Sequence, residues 1–252
     1  MENATIKGGD MEAIRVEGIK KVYGVIDALK GVSFSIKRGS LVSILGPNGA
    51  GKTTLIRILT TLARPTQGDA YVAGYSVVKE PKKVRAQIGV VPQENNLDTY
   101  LTLEENLKLQ AQLHGMERAK TKERVAYWLK KMELYERRKD FPPALSGGMA
   151  RKLVLARALI HNPPVLFLDE PTTGLDPHAR RETWAEITTF KRNTTVLLTT
   201  HYMEEADLLS DYIFIVDKGK IIREGTVSDL KKGGGTLEDL FIRLTGRGLE
   251  SA

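Results

Sequence analysis

Eight consecutive residues carry the most specific chemistry in this 252-residue chain: Gly46-Pro47-Asn48-Gly49-Ala50-Gly51-Lys52-Thr53. They fit the spacing G-x-x-x-x-G-K-[ST], after an apolar run from Leu41 to Leu45 and before a helix expected from Lys52. Glycines at those positions let successive backbone N–H groups turn inward as an anion nest, and the start of a helix adds positive potential. Lys52 can then reach the outer phosphates of a nucleotide, and the Thr53 hydroxyl can ligate Mg²⁺. The competing reading is a glycine turn that merely starts a helix, and the full match in a strand-to-helix context argues against it.

Two further segments bear on the same chemistry. Val165-Leu166-Phe167-Leu168 runs into Asp169 and Glu170. At the carboxyl end of a strand Asp169 can hold Mg²⁺ through water, and Glu170 can orient or deprotonate an attacking water. Taken alone the pair is more often a solvated turn or a helix cap; the phosphate loop upstream turns the reading toward catalysis. Leu145-Ser146-Gly147-Gly148-Met149 precedes a helical run. Ser146 there either caps a helix after the Pro142-Pro143 turn and does no more, or caps it and leaves, with two glycines, a second anion site.

The elements that must position these residues are legible in outline. Val32, Phe34 and Ile36 alternate with serines, and Leu41–Leu45 follows, so two strands are expected before the glycine loop. Short apolar segments at Ala70–Ala73, Ile88–Val91, Val165–Leu168, Val196–Thr199 and Ile213–Val216 read as strands, alternating later with helical stretches, which predicts an α/β domain with parallel strands. Between Gln93 and Ile160 strand signals vanish, and Leu103, Leu107, Ala111 and then Val125, Leu129, Met132 recur at helical spacing, as in an inserted helical lobe. After a Gly233-Gly234-Gly235 hinge, Thr236 can cap a short helix with Leu237, Leu240, Phe241 and Leu244 on one face.

Bulk properties narrow the classes without choosing among them. Hydrophobic content of 41% and charged content of 27% are those of an ordinary globular protein, which excludes disorder. No apolar run approaches the roughly 18 residues of a spanning helix, and Met1–Asp10 lacks the apolar stretch of a secretory signal. The absence of cysteine excludes disulfides and thiolate metal sites. A net charge of +7 is compatible with nucleic acid, anionic lipid or nucleotide, but much of the excess lies in Arg118–Lys139, where a solvated helical face accounts for it.

In order along the chain stand the phosphate loop, Gln93 after a strand, Leu145–Gly148, Asp169-Glu170, Gly174-Leu175-Asp176-Pro177 and His201. This combination resembles the ABC ATPase family over about residues 12 to 230. The resemblance implies an α/β fold: a P-loop NTPase, recombinase-like core with a mixed sheet and an inserted α-helical subdomain. The expected domains are a tail at 1–11, an ATPase domain at 12–230 with core 12–92 and 161–230 and helical subdomain about 93–160, and a C-terminal extension at 231–252. It further implies an ATPase using ATP and Mg²⁺, with Glu170, His201 and Gln93 catalytic and Thr53, Gln93 and Asp169 at the metal. Nucleotide would be held by Gly46, Pro47, Asn48, Gly49, Ala50, Gly51, Lys52, Thr53 and Thr54, with Tyr23 stacked on adenine. Ser146, Gly147, Gly148 and Asp176 would serve the partner's nucleotide in a head-to-tail dimer with a second copy or a homologous subunit.

One position departs from the pattern: Met149 stands where the commonest form of the signature has Gln. Met-containing signatures, with Thr200-His201-Tyr202-Met203-Glu204-Glu205-Ala206, are similar to those of the subfamily serving drug, sodium and polysaccharide exporters. The expected partner is therefore an integral membrane permease, with the chain at the cytoplasmic face of the membrane and no nucleic acid bound. The alternative is a soluble ABC-type ATPase acting on ribosomes or DNA, but those relatives usually carry two motif sets or a long coiled coil in one chain, and neither is seen here. A kinase or GTPase with the same phosphate loop gives no reason for Ser146–Gly148 or His201.

Overall fold

The structure, a computed structural model, describes residues 12–191, 193–232 and 235–246; the expected tail and Gly233-Gly234 of the expected hinge lie outside them. Two sheets form the frame. The smaller is antiparallel, with β1 (Glu12–Tyr23), β2 (Ile26–Lys37), β4 (Gln67–Val72) and β5 (Tyr75–Ser76) in the order β2-β1-β4-β5. The larger runs β10-β9-β3-β8-β7-β6, from β3 (Leu41–Leu45), β6 (Ile88–Val91), β7 (Val165–Asp169), β8 (Thr195–Thr200), β9 (Tyr212–Asp217) and β10 (Lys220–Gly225). Its strands are parallel except for β10, which pairs antiparallel with β9.

Three strands, not two, therefore precede the glycine loop. β1 escapes the sequence pattern because it buries Ala13, Ile14, Val16 and Ile19. That spacing breaks period two, and the reason is a set of register shifts against β2, one of them between Val16 and Ile19. The strands of the larger sheet are easier to read. β3, β7 and β8 are buried throughout, so they appear in sequence as continuous apolar runs.

Alternate residues of these strands feed two cores. Val42, Ile44, Val165 and Phe167 join the layer between the sheets, where Phe34 and Phe214 lie 4.6 Å apart. Leu41, Leu166 and Leu168 join the core on the other face, with Trp128, Leu153 and Trp184. Helix α1 (Lys52–Leu59) follows β3, and α2 (Pro81–Ala86) precedes β6.

The segment between β6 and β7 is helical, as expected: α3 (Leu103–Leu113), α4 (Arg118–Lys131) and α5 (Gly147–Leu159). Thr102 and Glu105 close a capping box at the start of α3. Leu103, Leu107, Ala111, Val125, Leu129 and Met132 are all buried.

Helices α6 (Pro177–Phe190) and α7 (Met203–Leu209) follow β7 and β8, and α8 (Val227–Leu230) and α9 (Leu237–Thr245) end the described chain. Thr236 caps α9 with Asp239. Leu237 and Phe241 are buried, whereas Leu244, in the last turn, stays 42% exposed. Among the described residues no helix is long and apolar enough to cross a membrane.

Candidate active site

The glycine loop emerges from β3, whose neighbours in the sheet are β9 and β8. Its sharp path is possible only with glycine at two points. A Cβ at Gly46 would lie 2.3 Å from the Val216 carbonyl oxygen, and Gly51 has φ +104 with its would-be Cβ 2.6 Å from the Ala28 oxygen. The loop is braced from outside, since the Gly219 N–H donates to the Ala50 carbonyl and the Lys30 N–H to the Gly219 carbonyl. The result is a cleft of about 580 Å³ lined by Asn48, Gly49, Gly51, Lys52, Thr53, Thr54, Gln93 and Glu170, among others.

Lys52 is only 4% exposed. Its ammonium donates to the carbonyls of Gly46 at 2.8 Å and Pro47 at 3.0 Å, and lies 3.3 Å from Glu170 Oε1. Burial pushes it below the ordinary lysine range, against the charges of Glu170 and Asp169 that favour the cation. A charge held this way, over carbonyls and one carboxylate, is poised to exchange them for phosphate oxygens.

Asp169 and Glu170 end β7 side by side. Thr53 Oγ1 donates to Asp169 Oδ1 at 3.3 Å, and Thr199 Oγ1 donates to the same oxygen at 2.5 Å. Among the described residues no group of three or more His, Cys, Asp or Glu can hold a metal by itself. Thr53, Asp169 and the Gln93 side chain are instead an all-oxygen set with one carboxylate. That fits Mg²⁺, which usually binds through one or two carboxylates and substrate phosphates.

Glu170 is the hub. It sits at φ 47, a conformation held by its own N–H donating to both the carbonyl and the hydroxyl of Thr199, each at 3.1 Å. Its Oε2 lies 3.2 Å from His201 Nδ1, accepts from Thr173 Oγ1 at 3.2 Å, and is 3.5 Å from Gln93 Nε2. Burial raises the carboxyl, but the His201 hydrogen bond and the charges of Lys52 and His201 outweigh it and lower the group to about 2. The carboxylate is therefore ionised and lines the cleft.

The remaining expected site residues form a second group. Ser146 Oγ accepts the Met149 N–H at 3.3 Å, capping α5, so the capping part of its expected role is seen directly. A Cβ on Gly147 would meet Leu175 at 3.8 Å and one on Gly148 would meet Ala179 at 3.0 Å. Asp176 caps α6 by accepting the N–H groups of His178 and Ala179. Ser146, Gly147, Gly148 and Asp176 thus share one surface, and none lines the cleft. Tyr23, 43% exposed at the end of β1, is not a lining residue either, although Ile26, its register partner across the turn, is.

Several residues at the site carry no sequence signal. Lys218, Asp27 and Lys30 line the cleft from turns and strand edges. Thr199 ties Asp169 to Glu170, and Arg151, 2% exposed, donates to carbonyls on both sides of the site. An isolated Thr or Arg in a strand or helix has no spacing to announce it.

Residues 29–173 match the ABC transporter family model. The chain is 44% identical to the doxorubicin resistance ATP-binding protein DrrA of Mycobacterium tuberculosis, over 97% of this chain and 74% of that protein. It is 40% identical to the linearmycin resistance ATP-binding protein LnrL of Bacillus subtilis, over 95% and 76%. Among solved structures, an ATP-binding subunit of an ABC transporter superposes with a TM-score of 0.84 at 31% identity, covering 92% of this chain and 99% of that one. A dimeric ATP-binding cassette in a post-hydrolysis state, bound to ADP and Pi, superposes at 0.77 and 31% identity, covering 85% and 98%. With a family match over more than half its length and a relative 44% identical of which it covers 74%, this chain belongs to the ABC transporter family as an ATP-binding, ATP-hydrolysing subunit.

Proposed function

We propose that the chain hydrolyses Mg-ATP at the cleft behind the glycine loop and couples hydrolysis to a separate membrane permease that exports its cargo. The convergence of Lys52, Gln93 and His201 on the ionised Glu170 carries the reading. Gly46 to Thr54 cradle the phosphates with backbone N–H groups, and Lys52 leaves its carbonyls for the outer phosphates. Thr53, Asp169 and Gln93 would hold Mg²⁺, which would supply positive charge to offset that of the phosphates.

Glu170 accepts a proton from the attacking water, oriented in line by Gln93. His201, its Nδ1 3.2 Å from Glu170 Oε2, donates toward the outer phosphate. Tyr23 stacks on the base at the rim of the cleft. Ser146, Gly147 and Gly148, which do not line the cleft of their own chain, close over the nucleotide of a second subunit, and Asp176 communicates across the joint.

The export reading rests on the relatives, which are named for doxorubicin and linearmycin resistance and, in Ralstonia nicotianae, for Nod factor export. A chain acting with a permease works at the cytoplasmic face of the membrane.

The decisive experiment compares wild type with Glu170→Gln in the purified full chain. Turnover should fall by about 10² to 10⁴ while Mg-ATP stays bound, since the amide cannot take the proton. A wild-type rate in the mutant would remove Glu170 from the chemistry.

A further inference from the structure

Helix α5 has a job beyond presenting its N-terminal glycines. Five residues in from Ser146, Arg151 turns its guanidinium inward and is only 2% exposed. Its Nη1 donates to the Pro92 carbonyl at 2.6 Å and lies 3.4 Å from both the Gln93 carbonyl and Asn95 Oδ1. Its Nε donates to the Pro171 carbonyl at 2.6 Å, and its Nη2 lies 3.5 Å from the Glu170 carbonyl.

One planar group therefore spans the two backbones that carry Gln93 and Glu170. Arginine suits this because its donors form a rigid fork. Further along α5, Arg157 donates to the Asn96 carbonyl at 2.6 Å, so the helix grips segment 92–96 at two points. Burying an unpaired guanidinium is expensive, and here burial pushes it down to about 10 against the charges of Glu205 and Asp169. Glu205, fully buried on α7 with its carboxyl pushed upward by burial, accepts from Thr172 Oγ1 at 2.7 Å, so the segment that Arg151 holds is also held from α7.

We infer that Arg151 is a positioning residue for hydrolysis: it ties the Ser146–Gly148 end of α5 to the Gln93 and Glu170 backbones of the same chain, so that ligation at that end sets the geometry of the chain's own hydrolytic pair. The inference rests on the proposed roles of Gln93, Glu170 and Ser146–Gly148. A rigid α5 is what lets a contact at its start move both loops as one body.

Arg151→Lys keeps the charge but cannot span both loops. In the nucleotide-free full chain, amide exchange at 92–96 and 170–173 should rise by about tenfold or more while β3 and β8 stay protected. Mg-ATP affinity should stay within about threefold, with turnover falling by about 10²-fold, as expected for a small misplacement of reacting groups. Leu153→Ala, which weakens α5 in its buried core without touching either loop, should leave turnover within about twofold.

Arg151→Gln repeats the test should the lysine prevent folding. Unchanged exchange in both segments, or equal loss of turnover in the Leu153 variant, would overturn the inference. A wild-type chain that fails to hydrolyse ATP would sink the proposed function instead, and the exchange measurement, made without nucleotide, would still judge the Arg151 link.

Discussion

Glu170 combines a strained backbone, near-complete burial and a charge that the fold has already made permanent. Because its carboxyl is lowered from 4.5 to about 2, it contributes stability that is fully present above pH 4.5 and is lost as pH falls through about 2. The contribution is at most about 3 kcal/mol for a carboxyl lowered from 4.5 to about 2. Urea midpoints of wild type and Glu170→Gln, without nucleotide, should therefore converge as pH drops from about 5 to about 3. A constant gap over that range would show that the ion cluster with Lys52 and His201 does not set the carboxyl's affinity for protons.

At the scale of elements, strand β7 holds the chemistry together. Its outer end carries Asp169 and Glu170, and its middle is pinned by Phe167, wholly buried between the sheets. Phe167→Ala should cost about 3–5 kcal/mol, through lost burial and a cavity that the packed layer cannot close. The loss is measurable as a shift in the urea midpoint with an unchanged slope. A cost under about 1 kcal/mol would mean that the layer between the sheets repacks freely. Strand β8 is the second support, since Thr199 bonds both Asp169 and the Glu170 backbone from the neighbouring position in the sheet.

At the scale of the molecule, the site is divided: one surface carries the cleft, another carries Ser146–Gly148 beside Asp176. Mixing a Lys52→Ala chain with a Ser146→Arg chain leaves one intact composite site per heterodimer. Activity of the mixture should exceed the sum of the two mutants alone; activity no greater than that sum would refute sharing of sites that work independently. A second prediction concerns the permease. Tyr100 is 90% exposed between β6 and α3, beside Asn96 and the half-buried Leu97. Single cysteines at Asn96, Leu97 and Tyr100 meet no native thiol, so crosslinking in native membranes should capture a membrane protein. Capture of none, with the chain fractionating wholly with ribosomes or DNA, would favour the soluble ATPase instead.

Residues whose chemistry is local in the chain were legible from sequence. The Gly46–Thr53 loop binds through consecutive backbone groups, Asp169-Glu170 follows directly on an apolar strand, and the helical spacing from Leu103 to Met132 reports one buried face. Order and type alone were enough to identify the family and its fold. What tertiary structure decided is everything that depends on approach across the chain. Lys52 meets Glu170, His201 and Gln93 meet the same carboxylate, and Thr199 bridges the pair because parallel strands end in register. Arg151 reaches two loops from a helix whose sequence marks only its start. β1 stayed hidden because its bulges break the alternation that would announce it. A contiguous motif is written in covalent spacing, but a hydrogen bond between distant segments is set by packing, which no local pattern encodes.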